Sequence, residues 1–276
     1  MRSRVYRIAL AICMLLSIVP STAKAEPGIV EIADAAGLAA IAEDLSGHYK
    51  LTADIELEAA WTPITELAAG RTPVFTGILE GGGHTVSNLY LEEEPEYASL
   101  MGNIAEGAEI RNLRVELGTQ GVSSPSDAGG LVCYMDGGLI QNCSVSGKVI
   151  NSIPEDCYAG ALVGYMSGGA VSGCYATGSV SGGNAGGLIG YIEGGIVKNS
   201  YSLADVSGQD AAGGLASGAE NCSIAYCYAA GAVSIVETEG DLGGFLGARY
   251  DGGILTSCFY EVEDPASQRP DGIGFD

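Results

Sequence analysis

Three kinds of side chain in this sequence recur at spacings that could organise chemistry. Carboxylates stand just ahead of Gly-Gly pairs at Asp136, Glu193 and Asp251, with Ser167 at the matching place between the first two. Asp127 and Asp241, with Asn184, form a looser set. Two carboxylates converging on one face would be the acid and the base or nucleophile of a polysaccharide hydrolase. A calcium site would need a dense run of oxygen ligands, and no D-x-D loop supplies one. The basic residues nearby, Lys148, Lys198 and Arg249, fall beside no acidic pair. Solvated turn carboxylates are therefore expected, with no catalytic residue, metal ligand or cofactor. Cysteines recur at Cys143, Cys174, Cys227 and Cys258, with Ser200 in the middle. Tyrosines recur in two series, Tyr134, Tyr165 and Tyr191, then Tyr175, Tyr201 and Tyr228 followed by Phe259. Aromatic rings repeated on one face can stack on sugars or dock a partner, and they can also brace a sheet as cross-strand pairs. These six tyrosines are the candidate ligand-binding residues.

Such series need an element that repeats. "AGGLVCYMDGGLIQNCSVSG" begins at Ala128, "AGALVGYMSGGAVSGCYATGSVSG" at Ala159 and "AGGLIGYIEGGIVKNSYSLADVSG" at Ala185. "AGGLASGAENCSIAYCYAAGAVS" follows at Ala212, "LGGFLGARYDGGILTSCFY" at Leu242, and a weaker copy starts at Ala98. The apolar anchors are Leu100, Leu131, Leu162, Leu188, Leu215 and Phe245, one coil of about 26–31 residues apart. The slot 12 or 13 residues on holds Leu113, Cys143, Cys174, Ser200, Cys227 and Cys258, and Leu89 fits it upstream. Asn88, Asn112, Asn142 and Asn199 precede that slot. Internal register is thus constant, and length varies in one connecting loop.

Each copy holds short β-type runs broken by Gly-Gly, and one copy alone cannot bury its apolar face. Stacked copies can, with each strand pairing to its counterpart about 4.8 Å away. Glycine-rich turns suit such a coil. Helical repeats would show a 3.6-residue period and few glycines, and a propeller blade would take about 40 residues. The fold expected is all-β: a parallel β-helix, or β-solenoid. In the stack the cysteine slot becomes an inward thiol ladder, acting as small apolar filler. The residue after each cysteine points outward by strand alternation.

The front of the chain differs. Residues 32–47, "IADAAGLAAIAEDLSG", read as an amphipathic helix. Asp34 is its N-cap, Leu38, Ile41, Ala42 and Leu45 form one face, and Gly47 is the stop. It would lid the first coil. Arg2, Arg4 and Arg7 before the apolar run Ile8–Val19, with Ala23-Lys24-Ala25 after it, read as a signal peptide cut after Ala25. The expected organisation is signal peptide 1–25, capping segment 26–47, parallel β-helix 48–260 and acidic tail 261–276, whose Pro265 and Pro270 would discourage end-to-end growth. A formal net charge of −22 repels nucleic acid and anionic membranes.

The repeats, quoted from Ala128 onward, resemble the GLUG motif of secreted and surface bacterial proteins. The front part, "LAAIAEDLSGHYKLTADIELEAAWTPI" to "FTGILEGGGHTVSNLYL", is similar to the leader that precedes such repeats. The resemblance spans roughly residues 30–260 and implies a right-handed β-helix. It also implies large adhesin-like surface proteins, or a module beside the catalytic domain of IgA-specific metallopeptidases. The chain has no HExxH, and His48 and His84 sit in unrelated surroundings. The expected function is a secreted, non-catalytic adhesive or interaction module at the bacterial cell exterior, the alternatives being a carbohydrate-active β-helix enzyme or a passive stalk of a larger surface protein. Its partner would be a glycan or a protein, with no nucleic acid and no stable membrane insertion after signal cleavage.

Overall fold

The computed structural model describes residues 28–67, 73–92, 95, 97–153, 157–236 and 240–261. The expected signal peptide, and the tail with Pro265 and Pro270, lie outside the described residues. Among those described, the strands form two sheets of thirteen strands each, and neighbours pair in parallel. The path of one sheet includes Ile78–Glu80, Glu109–Arg111, Val132–Gln141, Val163–Ser172, Ile189–Ile192, Ala216–Ala219 and Leu246–Arg249. The other includes Thr85–Leu89, Arg114–Leu117, Ser144–Asn151, Tyr175–Gly186, Tyr201–Gly213, Tyr228–Ala229 and Phe259–Tyr260. The chain visits the sheets in turn, so each circuit lays a new strand on each sheet. The fold is a parallel β-solenoid.

Register turns the sequence pattern into a core. Val132, Val163, Ile189, Ala216 and Leu246 lie opposite one another and are all buried. The six anchors from Leu100 to Phe245 are buried too. Full burial of one such aliphatic side chain contributes about 1.5–3 kcal/mol, and stacking supplies the partner surface that a lone coil lacks. The length variation sits in two places rather than the one expected: Glu116 lies opposite Ser146 and Val122 opposite Val149, so an early coil carries extra residues between Glu116 and Val122. Ile150 lies opposite Ser181 and Tyr158 opposite Asn184, so the extra residues of the longer coil fall between Ile150 and Tyr158.

The Gly-Gly pairs do two different jobs. At the start of the repeats, the glycine that follows alanine allows backbones to touch: a Cβ on Gly129, Gly160, Gly186 or Gly213 would lie 1.9–2.0 Å from a carbonyl oxygen three residues on. Ahead of the second strand, Gly138, Gly169 and Gly195 have φ between +81° and +89°, a left-handed bend that glycine adopts freely. Contrary to the sequence expectation, these later pairs do not always break a strand. Val132–Gln141 and Val163–Ser172 run through them, with a register irregularity at Asp136.

The corner before the second sheet is also left-handed. Asn112, Asn142, Gly173, Asn199, Tyr226 and Ser257 have φ between +51° and +68°. Through five of these corners the backbone N–H, from Asn112 to Tyr226, donates to a carbonyl of the following coil. Asparagine tolerates this region better than most residues, which explains its recurrence.

Two sequence expectations are corrected. Leu89 does not share the slot of Leu113: Thr85 lies opposite Arg114 and Leu89 opposite Leu117, which puts His84 below Leu113. Asn88, with φ of +59°, marks a register irregularity inside its strand rather than the corner. The helix is shorter than residues 32–47. Val30–Ile32 is a strand paired to Tyr49–Leu51, and an α-helix at Ala35–Ala39 runs into a 3-10 helix at Ala40–Glu43. Asp34 does cap it, its Oδ1 accepting from the Gly37 N–H at 2.8 Å, and Leu38 and Ile41 are buried. The pull of strand pairing on Ile32 shortens the helix at its front.

Candidate functional site

The first tyrosine series forms an outer ladder. Tyr134 lies opposite Tyr165, and Tyr165 opposite Tyr191. Their ring centroids are 5.2 and 5.7 Å apart, with interplanar angles of 3° and 18°. Two rings that the repeat pattern does not reveal join them. Tyr158, beside the inserted loop, tilts against Tyr165 and Tyr191 at 5.3 and 4.9 Å. Tyr250 reaches Tyr191 at 6.3 Å. All but Tyr250 are half-buried.

Carboxylates flank this ladder. The Tyr165 hydroxyl donates to Glu193 Oε2 at 2.7 Å. Burial, and then this bond, push the Tyr165 phenol far above its ordinary range. Burial and the neighbouring Glu220 do the same to Tyr191. Both phenols therefore stay protonated as donors. Glu220 follows Glu193 in the next coil, about 4.8 Å on by strand spacing. It escapes the sequence pattern because "ASGAENC" has lost the tyrosine and the Gly-Gly. Asp136 accepts from Ser167 Oγ at 3.0 Å. Asp251 departs from its expected slot: Tyr250 N–H takes the backbone bond to Ala219 that Glu220 N–H makes to Ile192 one coil earlier. Asp127, Tyr158, Asn184, Ala211 and Asp241 form one register column, which sets Asp127 and Asp241 four coils apart. Among the described residues, no three of His, Cys, Asp and Glu gather as a metal-binding group.

Among the described residues, Asp127 is the carboxyl whose pKa is most displaced. Burial raises its pKa to about 6, against the hydrogen bond that its Oδ1 accepts from Tyr158 N–H at 2.8 Å. A folded-state pKa above the unfolded one makes the stability contribution full below the unfolded pKa, near 4, and progressively lost as pH rises through about 6. Asn at this position keeps an oxygen for Tyr158 and cannot ionise. The difference in unfolding midpoint between the wild type and Asp127→Asn should therefore move in favour of Asn between pH 4 and 7, and thermal melts across that range test it.

The second ladder lies on the other sheet. Tyr175 stacks on Tyr201 at 5.1 Å and 6°. The register continues to Tyr228 and Phe259. Among the described residues the parallel stacking ends at Tyr201. The Tyr228 hydroxyl donates to Glu261 Oε2 at 3.2 Å. In both ladders the stacked rings turn their faces to one another along the solenoid axis. What such a ladder presents outward is ring edges and hydroxyl groups, not a row of open faces.

Comparison with known proteins decides what kind of repeat this is. The family described as the GLUG motif matches residues 124–150 and 181–207, two coils that carry these ladders. The chain carries GLUG-motif repeats. The GLUG-type coil between the two matches, from Ala159, takes the same register as both. Halomucin of Haloquadratum walsbyi (strain DSM 16790 / HBSQ001) is 31% identical over 130 residues, which is 43% of this chain. The match spans only 1% of the length of halomucin. A crystal structure from Bacteroides ovatus, of a protein provisionally named an immunoglobulin A1 protease, superposes with a TM-score of 0.64 at 20% identity. The match covers 86% of this chain and 76% of that one. At that identity the likeness concerns the fold alone.

The left-handed corner also bears on the cysteine slot that follows it. After the left-handed residue, the carbonyl two residues before the slot accepts the corner N–H of the preceding coil, as Gln141 O does from Asn112, and the slot side chain offers it a second donor. Cys143 Sγ lies 3.3 Å from Gln141 O, Cys174 Sγ 3.5 Å from Ser172 O and Cys227 Sγ 3.3 Å from Ala225 O. Ser200 makes the same bond, Oγ to Lys198 O, at 2.8 Å. Burial and the neighbouring Cys174 push the Cys143 thiol up, and the neighbouring Cys258 and burial push Cys227 up. The slot therefore selects a small side chain with a donor, as Ser200 illustrates. Cys174→Ser should keep stability within about 1 kcal/mol, whereas Cys174→Val, which removes the donor, should lose about 1 kcal/mol more. Urea melts of both variants test the difference.

Proposed function

We propose that this chain is a non-catalytic repeat module of the cell exterior that binds a glycan or protein partner along its outer faces. The observation that carries the reading is the pair of tyrosine ladders, repeated in register on the outside of GLUG-type coils. The core does not include these rings: aliphatic side chains, with a few aromatic rings and the buried cysteines, fill the interior, and the six ladder tyrosines lie outside it. The similarity to part of halomucin supports a place at the surface or outside the cell. The leader-like residues 1–25 support export. No helix among the described residues is long and apolar enough to cross a membrane. A broad ladder suits an extended partner held by many weak contacts.

The test is binding of residues 26–276 to an array of glycans and exterior proteins, with calcium and with chelator. Saturable binding to one class is expected, reduced when Tyr134, Tyr165 and Tyr191 are changed together to serine. Absence of binding to every component would overturn the reading.

A further inference from the structure

The last two corners of the solenoid, at Tyr226 and Ser257, depart from the asparagine or glycine of the earlier ones, and Tyr226 departs furthest. The left-handed position holds Asn112, Asn142, Gly173 and Asn199 in successive coils, and then Tyr226 at φ of +56°. A bulky aromatic residue is disfavoured in that region. Its side chain gains little from packing, because Tyr226 is 63% exposed. Strain without burial is hard to explain by stability, and such outliers concentrate at functional sites.

The neighbours of Tyr226 are exposed as well. Tyr228, two residues on, and Phe259 above it in register continue the second ladder, and Phe259 is 57% exposed. Ile254, on the strand of the last coil that precedes this corner, is exposed, and Tyr201 lies below Tyr228. Neither Tyr226 nor Phe259 joins a ring pair among the described residues, so this is where the ladder offers open aromatic surface. Polar groups rim it: the exposed Asn199 and Ser257 at the neighbouring corners, and Glu261 bonded to Tyr228. A contiguous exposed apolar patch rimmed by polar groups marks an interaction site.

Charge narrows the occupant. A chain with a net charge of −22 opposes docking of a second copy of itself and of polyanions such as nucleic acid. An uncharged partner meets no such penalty. Open ring faces beside an amide, a hydroxyl and a carboxylate match the two sides of a sugar, whose C–H face packs on rings and whose hydroxyls bond to the rim. We propose that a neutral polysaccharide chain docks across this corner on Tyr226, Tyr228 and Phe259. The proposal rests on the binding-module reading above and names its partner class and its place.

The experiment is affinity electrophoresis and pull-down of residues 26–276 against soluble xylan, galactomannan, mannan and β-1,3-glucan, and against insoluble cellulose and chitin. The wild type should be retained by at least one. Tyr226→Asn installs the residue found at three of the other corners, and should weaken that retention at least tenfold while leaving Tm unchanged or higher. Phe259→Ser, at an exposed position, should weaken it likewise, and carries the decision should Tyr226→Asn lower Tm. No retention of the wild type by any of the six polysaccharides would overturn the proposal. Retention undiminished in both variants would also overturn it, while leaving the broader binding reading intact.

Discussion

Alanine at Gly186 is expected to destabilise the protein by about 3 kcal/mol, the upper end of what forced overpacking costs. The added Cβ would lie 1.9 Å from the carbonyl oxygen of Ile189 and 2.7 Å from the Cα of Ala216 in the next coil. Both are backbone atoms, so no side chain can swing aside. The backbone must shift, and with it the coil spacing that sets the Tyr165–Tyr191 stack. Gly168→Ala is the matched control. Its Cβ would meet nothing nearer than 3.6 Å, and Asp136 already occupies the register position opposite. It should stay within about 0.5 kcal/mol of the wild type. Chemical denaturation of the two variants, read by tyrosine fluorescence, makes the comparison. Equal losses at both positions would contradict the close-approach explanation of the "AGG" glycines.

Leu188→Ala should cost a similar amount, about 3 kcal/mol. Leu188 is fully buried, and its backbone bonds both ways, with its O accepting from Leu162 N–H and its N–H donating to Leu215 O. In a solenoid each coil is stabilised by its two neighbours, so a cavity in a middle coil weakens two interfaces together. Ile196→Ala, at an exposed position in the same coil, should change stability by less than about 0.5 kcal/mol. Unfolding midpoints in urea separate the two. A loss at Ile196 as large as at Leu188 would mean that the inward and outward faces are assigned wrongly.

The solenoid was legible because the constraint that builds it repeats. An anchor that must be buried in every coil leaves the same residue type at each recurrence, and Leu131, Leu162 and Leu188 show it directly. The cysteine slot was legible for the same reason, although its donor role was hidden: only the bend at the preceding residue shows which carbonyl the side chain reaches. Leu89 and Asn88 misled because residue type alone cannot distinguish a left-handed corner from a left-handed irregularity within a strand. Glu220 and Tyr158 were missed because one lies in a degenerate repeat and the other beside an insertion. The direction of the ring faces left no trace in sequence at all. Tyr226 is the converse case, since a tyrosine in a left-handed bend contradicts its local propensity, and only the backbone shows that the bend is there. Local rules fail where a residue is kept for something other than folding.

Glu193 and Glu220 keep one further question in view, because two carboxylates in adjacent coils are also what a retaining glycosidase uses, at about 5–5.5 Å. The proposed module binds without cleaving. The measurement that tests this most directly is incubation of residues 26–276 with each polysaccharide that retains it, followed by chromatography of the soluble products over days. The account predicts bound protein, no new reducing ends or unsaturated products, and identical traces for the wild type and Glu193→Gln. Oligosaccharides that accumulate linearly with time and protein concentration, and vanish in Glu193→Gln, would contradict it and make the tyrosine ladder part of an active site.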